Sequence, residues 1–287
     1  MFEGPPTPKR NNMNQYNGSL FKVPVSAAEF KAGCLEDETH SRAMDIFRQQ
    51  GALWLAGCFD RELIQQVADA CTEKYLSLGK KELRKRDAIV GDRRYMITVD
   101  IKKPFNDPRL YANPILLSLL HKLLSPHCRI ASFGIVSASP GADEQPIHLD
   151  HPPLFDDPAT NDGIPPYAIT VVIPLVSLIP EMGTTAIWPG SHRSADRLEM
   201  LKQLMEAPDY AAAHHPLASL GDAYLMDYRL IHGGRANESD HVRPILYSVY
   251  SRPWFRDGFN FGSQPAVQIS KKQIKKVPKE HRGLFRP

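Results

Sequence analysis

Apolar residues recur at helical spacing in the first part of the chain and in short runs after residue 128. After Asp60, apolar side chains at 63, 64, 67, 68, 71 and 75 form one face of a helix that Asp60 caps. A helical pattern also covers 39–50, and Asn113-Pro114 opens a leucine-rich helix. Beyond residue 128, runs bounded by Gly, Pro and Asn predict strands at 129–139, 145–150, 168–176, 184–188, 223–227 and 243–251, with a charged helix at 196–205.

This order of elements predicts a mainly β fold with flanking helices. Short strands after a helical first part are typical of an antiparallel sandwich or barrel that N-terminal helices buttress. We predict a flexible arm at 1–20 and a single domain at 21–287. Within that domain we expect helical support at 39–126, a β core at 128–252 and a tail at 253–287.

Two segments show no regular spacing of apolar residues. Residues 83–109 predict a long loop with one strand at 95–101, and residues 151–167 hold five prolines, which favour neither strand nor helix. Long connections in compact domains often carry function. We therefore expect 151–167 to form a lid over a substrate, with 83–109 as the second candidate.

Composition narrows the functional class. A formal charge of +3 on 287 residues is too small to indicate nucleic-acid binding, and the basic runs at 80–86 and 271–276 are typical of solvated helix faces. No run approaches the roughly 20 apolar residues of a membrane span, and the N-terminus does not resemble a signal peptide. Cysteines without paired spacing predict reduced thiols: Cys34, Cys58, Cys71 and Cys128. We expect a cytoplasmic protein with a small-molecule substrate and neither nucleic-acid nor membrane partners, and the oligomeric state stays open.

One pair of residues indicates a metal site. His148 and Asp150 stand two apart at the end of a predicted strand, so both side chains would share a face. An imidazole, a carboxylate and a second histidine are the facial ligand set of non-haem iron oxygenases. Eleven histidines and 32 acidic residues predict about one such pair by chance, so the pair needs support from elsewhere in the chain.

That support comes from the region around His232. Two glycines follow His232, which would allow close backbone approach, and Arg243 begins an apolar strand eleven residues later. A buried guanidinium needs an anion, because an unpaired one costs several kcal/mol. A small carboxylate held in a bidentate manner would fit Arg243.

Three motifs together resemble the phytanoyl-CoA dioxygenase family of iron(II)- and 2-oxoglutarate-dependent oxygenases. They are Gln145-x-x-His148-x-Asp150, then a glycine-led strand that ends in Trp188-Pro-Gly-Ser-His192, and His232-Gly-Gly with Arg243. The resemblance implies a double-stranded β-helix (jelly-roll, cupin-like) core with Fe(II), 2-oxoglutarate and O2. It assigns His148, Asp150 and His232 to the iron, Arg243 to the far carboxylate of 2-oxoglutarate, and Thr170 and Gln145 to cosubstrate contacts. Where many relatives have a small hydroxyl two residues after the second histidine, this chain has Gly234.

The resemblance implies a dioxygenase that hydroxylates an unactivated C–H of a small metabolite, while 2-oxoglutarate becomes succinate and CO2. Desaturation, epimerisation and ring formation stay open. One alternative is a CoA-thioester hydroxylase in which the basic residues between 80 and 103 meet phosphates, and another is a non-enzymatic β-helix binding module. Of the remaining histidines, His192 follows a turn and predicts a structural role, whereas His214 and His215 predict a surface loop.

Overall fold

The computed structural model describes residues 18–86, 88–261 and 264–285. A 3-10 turn at Gly18–Phe21 opens this part of the chain, so the predicted arm falls mostly outside the described residues. The α-helices are α1 Ala27–Ala32, α2 Asp37–Gln50, α3 Arg61–Cys71, α4 Lys80–Lys85, α5 Pro108–Tyr111, α6 Pro114–Leu123, α7 Pro158–Gly163, α8 Arg197–Glu206 and α9 Lys271–Ile274. No helix among the described residues is long and apolar enough to cross a membrane.

Ten strands form two sheets. They are β1 Lys22–Pro24, β2 Ala52–Ala56, β3 Ile89–Gly91, β4 Arg94–Thr98, β5 Arg129–Ala138, β6 Ala168–Pro174, β7 Thr185–Ile187, β8 Ala223–Asp227, β9 His232–Gly234 and β10 Arg243–Ser251. The large sheet has the order β1-β2-β8-β6-β10-β5-β4-β3, and its β1–β2 pair is parallel while the other pairs are antiparallel. The small sheet pairs β7 with β9, and single bridges add His148 beside β9 and His214 beside β7.

The two faces of the large sheet have different neighbours. Because side chains alternate across a strand, Ile97, Ile135, Val171 and Leu246 all point to one face, where they join the main apolar cluster with residues of α2, α3 and α6. Residues of the other parity, such as Met96, Val136 and Val249, point towards the small sheet. The predicted mainly β fold with flanking helices is therefore confirmed, and the space between the sheets is where a site can form.

The elements with strong local signals lie close to their predicted positions. Asp60 and Asn113 cap α3 and α6 through side-chain bonds to Leu63 N and Leu116 N, at 2.8 and 3.2 Å. The strands at 223–227 and 243–251 have their predicted bounds.

Three predictions of secondary structure are wrong. Residues 145–150 form only one bridge, at His148, since Pro146 lacks the N–H that a ladder requires. The strand predicted at 95–101 corresponds to β4, but the rest of the long loop predicted at 83–109 holds the end of α4, strand β3 and the short helix α5. Segment 151–167 does contain a helix, α7, because Asp157 caps it and Pro158 occupies its first turn.

Candidate active site

His148, Asp150 and His232 come together at the edge of the small sheet. His148 and His232 exchange both backbone hydrogen bonds of a bridge, at 2.9 and 3.0 Å, and their ring centroids are 4.4 Å apart. One potential ligand atom of each of the three residues lies within 4.8 Å of those of the other two. The structure thus joins the two parts of the triad predicted from sequence.

The second polar atom of each ligand is held by a hydrogen bond. Nδ1 of His148 lies 2.8 Å from the carbonyl oxygen of Pro146, and Nδ1 of His232 lies 2.9 Å from that of Leu230. Each ring therefore donates through Nδ1–H, which leaves Nε2 as the atom that binds a metal once it is deprotonated. Thr170 Oγ1 donates to Oδ2 of Asp150 at 2.7 Å, which leaves Oδ1 directed to Nε2 of His232 at 3.5 Å. This donor set suits a divalent non-haem metal, since second-sphere bonds of this type orient metal ligands.

Burial and mutual charge set the protonation of the triad. Burial lowers the pKa of His148 to about 4, and the neighbouring His232 adds to the effect. Burial opposes the charged form of Asp150, but His232 and the hydrogen bond from Thr170 outweigh it and lower the pKa of Asp150. Burial lowers the pKa of His232, but the charge of Asp150 and the hydrogen bond to it outweigh burial and raise that pKa. A neutral imidazole and an anionic carboxylate are the forms that bind a metal, so metal binding would displace the proton of His232.

Two buried arginines lie side by side on the sheet face that looks towards the triad. Arg94 on β4 and Arg243 on β10 both stand opposite Ala138 of β5, so their side chains share a face. Arg94 is 1% exposed and Arg243 5% exposed, and within the described chain Nη1 of each has no hydrogen-bond partner. Burial and the nearby Arg94 lower the pKa of Arg243 to about 10, which still leaves it charged at neutral pH. An anion between these groups would satisfy both.

Gly234 leaves the space that the guanidinium of Arg94 occupies. A Cβ at residue 234 would lie 2.7 Å from Nη1 of Arg94 and 3.3 Å from Nη2 of Arg243. Gln145 closes the same corner, because its Oε1 accepts a hydrogen bond from the N–H of Gly234 at 3.3 Å. The position where many relatives have a hydroxyl is therefore filled by the guanidinium of Arg94.

The triad and the arginines border one cavity of about 250 Å³. It lies between the sheets, and the large sheet supplies most of its wall. All six residues predicted as site residues line it, together with Arg94, Ser132, Tyr247 and apolar side chains. Residues 260 and 261 of the predicted tail also line it, whereas none of the described residues of 151–167 does.

The other histidines lie elsewhere. His192 is buried, and its Nε2 lies 3.2 Å from the carbonyl oxygen of Arg48 on α2, which agrees with a structural role. The surface loop predicted for His214 and His215 is wrong. His215 is buried, and the backbone of His214 bridges to Ile187 of β7, because the chain adds a further bridge to the small sheet here.

Comparisons with solved structures support the same architecture. HygX from Streptomyces hygroscopicus, solved with nickel and 2-oxoglutarate bound, aligns at 17% identity and a TM-score of 0.58 over 78% of this chain and 90% of that chain. The non-heme alpha ketoglutarate dependent epimerase SnoN from nogalamycin biosynthesis aligns at 17% identity and 0.56, over 83% and 98%. EctD from S. alaskensis, solved with 2-oxoglutarate and 5-hydroxyectoine, aligns at 20% and 0.54, over 80% and 87%. At these identities the likeness concerns the fold, and it confirms the jelly-roll core.

The family follows from the sequence itself. The model of the family described as Phytanoyl-CoA dioxygenase (PhyH) matches residues 47–245, which span the triad, both arginines and every strand of the large sheet except β1 and the last six residues of β10. The predicted enzyme class and the cofactors Fe(II), 2-oxoglutarate and O2 are thereby confirmed. The chain belongs to the phytanoyl-CoA dioxygenase family of iron(II)- and 2-oxoglutarate-dependent oxygenases.

Proposed function

We propose that this enzyme hydroxylates an unactivated C–H of a small metabolite, with His148, Asp150 and His232 as the ligands of Fe(II). The convergence of three oriented ligand atoms within 4.8 Å carries the proposal. When bound, iron and 2-oxoglutarate supply the oxidising chemistry, with O2 as oxidant and with succinate and CO2 as products. The contribution of the chain is to bind, orient and exclude water.

We further propose that Arg243 and Arg94 together hold the far carboxylate of 2-oxoglutarate. Both Nη1 atoms are unpaired within the described chain and border the cavity that the triad also borders. A carboxylate between the two guanidinium groups would give each of these buried cations an anionic partner. Thr170 and Gln145 would border the cosubstrate, and the bond from Thr170 to Asp150 supports a positioning role as well.

Metal binding tests this assignment. Replacing His232 by Ala should abolish binding of Mn(II) measured by calorimetry and formation of succinate from 2-oxoglutarate, because two ligands rarely hold such an ion. His192→Gln is the matched control, since it removes a buried imidazole that lies outside the triad. Wild-type Mn(II) affinity in His232→Ala would remove the triad from the proposal.

The CoA-thioester alternative is less favoured by the position of the basic residues. Helix α4, which holds four of these nine residues, packs through Leu83 on the helix-covered face of the large sheet. The cavity lies on the opposite face. Phosphates bound to α4 would therefore place a thioester on the wrong side of the sheet. The non-enzymatic alternative does not agree with the family.

A further inference from the structure

Two hydroxyl groups in the cavity remain unexplained by metal or cosubstrate. Oγ of Ser132 and Oη of Tyr247 line the cavity, and neither has a hydrogen-bond partner within the described residues. Ser132 is 1% and Tyr247 5% exposed. A buried hydroxyl left without a partner costs about 1–3 kcal/mol, so a pair of them at one wall indicates a ligand.

Strand register places these hydroxyls on the same face of the large sheet. Tyr247 of β10 stands opposite Gly134 of β5, and Val249 stands opposite Ser132. A Cβ at residue 134 would lie 2.7 Å from Oη of Tyr247, so the phenol ends above Gly134, which only a glycine allows. Ser132 is two residues away on the same face, or roughly 7 Å along the strand.

The same register places the two hydroxyls far from the arginines and close to the level of the triad. Both arginines stand opposite Ala138, six residues or about 20 Å of strand from Ser132. Val249, opposite Ser132, also pairs with Thr170, whose hydroxyl bonds to Asp150. A molecule held by the two hydroxyls would therefore lie beside the proposed metal, away from the cosubstrate carboxylate.

The chemistry of the surrounding wall limits what the hydroxyls can bind. Apolar side chains border this end of the cavity: Val172, Met226, Val249 and Phe261. The charged side chains among the described lining residues are Asp150, Arg94 and Arg243. Under the proposed function, Asp150 binds the metal and the two arginines bind the cosubstrate. A charged substrate group would have no counter-ion here, whereas two O–H donors suit a neutral oxygen atom.

We infer that Ser132 and Tyr247 form a substrate subsite for a neutral oxygen function, a hydroxyl or a carbonyl, on a compact apolar molecule. This subsite determines which C–H of the substrate faces the metal. The inference rests on the proposed function for the positions of metal and cosubstrate, and it names the substrate class of that same site.

Stability separates a ligand-binding role from a structural one. Ser132→Ala/Tyr247→Phe removes two hydroxyls that have no partner in the described chain, so the Tm of the ligand-free protein should stay the same or rise. Tyr250→Phe is the matched control on the same strand. Its hydroxyl donates to the carbonyl oxygen of Tyr111 at 2.7 Å, and its loss should lower the Tm. A clear fall in Tm for the double variant would assign the hydroxyls to folding and overturn the inference.

Binding tests the substrate class directly. We would load the protein with Zn(II) and 2-oxoglutarate and measure the affinities of cyclohexanol, cyclohexanecarboxylate and cyclohexylammonium by saturation-transfer NMR. We expect cyclohexanol to bind most tightly of the three. Its affinity should fall at least about tenfold in the double variant and should be the same for Tyr250→Phe as for the wild type.

Three results would overturn the inference: no binding of cyclohexanol to the wild type, tighter binding of either charged analogue, or equal affinity of cyclohexanol for wild type and double variant. Calorimetry of Zn(II) and 2-oxoglutarate keeps the two proposals separate. Loss of either ligand from the wild type would contradict the proposed function, whereas the subsite variants should bind both normally.

Discussion

Arg94 and Arg243 are two cations buried against the same strand without an anion from the described chain to share. Their common partner Ala138 keeps the space between them free of a large side chain. We predict that Arg243→Lys and Arg94→Lys each raise the Kd for 2-oxoglutarate about ten- to a hundredfold, because an ammonium cannot copy the bidentate geometry. Calorimetry with Mn(II)-loaded protein measures this effect.

The affinity for Mn(II) itself provides the control, since neither arginine belongs to the triad. It should change by less than about twofold in both variants. Equal losses of Mn(II) and 2-oxoglutarate affinity would indicate that the arginines stabilise the fold and do not bind the cosubstrate.

The sequence revealed one of these arginines and not the other. Arg243 stands eleven residues after His232 in a recognisable motif, whereas Arg94 lies 54 residues before His148 in a region that showed no period. A local signal did exist, because Arg94 also begins an apolar run, Tyr95-Met96-Ile97. What the sequence could not supply was the register that puts both arginines opposite Ala138.

His192 is a buried histidine with a structural role and a testable pH signature. Burial lowers its pKa from an ordinary value of 6.5 to about 4. Between pH 6.5 and 4 this histidine is protonated in the unfolded chain but not in the folded chain. The free energy of unfolding therefore falls as the pH drops from 6.5 to 4, and the histidine has no effect on it above pH 6.5. We predict that the metal-free wild type loses up to about 3 kcal/mol from this source over that window.

His192→Gln should remove that part of the pH dependence while leaving an amide to donate to the carbonyl of Arg48. Urea unfolding at pH 7, 6 and 5 would measure the free energy of unfolding of both proteins. The difference in free energy of unfolding between the wild type and His192→Gln should become less favourable to the wild type at each lower pH. A difference that does not change with pH would contradict the lowered pKa of His192 in the folded state.

Among the helices and strands, those with strong local signals could be predicted. Asp60 and Asn113 cap their helices through bonds within three residues, which a sequence pattern can specify. The short strands β7 and β9 and the bridge at His148 depend on partners far along the chain. Three-residue strands have almost no periodicity of their own, so the small sheet became visible only in three dimensions.

The segment 252–261, here called the covering segment, lines the cavity through Asn260 and Phe261, whereas none of the described residues of 151–167 does. Its Asn260 donates through Nδ2 to the carbonyl oxygen of Asp150 at 2.7 Å and to Oδ2 of Asp257 at 2.9 Å. Tyr228 also donates to Asp257, at 2.8 Å. Segment 151–167 packs beneath it, because Arg252 N–H bonds to the carbonyl of Tyr167 and Phe255 stacks near the same ring.

We predict that Asn260→Asp loosens the covering segment. The new carboxylate would face both Asp257 and a carbonyl oxygen, and this repulsion should speed amide hydrogen exchange across 253–261. The double variant Asn260→Asp/Asp257→Asn removes the repulsion between the two carboxylates and should slow exchange part of the way back, since the carbonyl oxygen of Asp150 still lacks its donor. Equal exchange in wild type and Asn260→Asp would show that this contact does not hold the segment.

Across the whole molecule, the large sheet has a structural face, which the helices cover, and a face that borders the cavity. Helices α2, α3 and α6 cover one face with an apolar cluster, and the other face provides the wall of the cavity. The basic helix α4 belongs to the supporting side, since Leu83 joins that cluster. The family name alone would suggest a CoA ester as substrate, but this division places the basic run and the cavity on opposite faces.

We therefore predict that coenzyme A neither inhibits nor stimulates succinate formation from 2-oxoglutarate at millimolar concentration. The variant Lys81→Glu/Arg84→Glu reverses two exposed charges of α4 and should keep wild-type activity at both low and high salt, because a charge effect behind the sheet is screened from the cavity. Arg243→Lys, assayed in parallel, confirms that the measurement responds to a change inside the cavity. Salt-sensitive inhibition by coenzyme A that disappears in the double variant would contradict this prediction and restore the thioester as a substrate class.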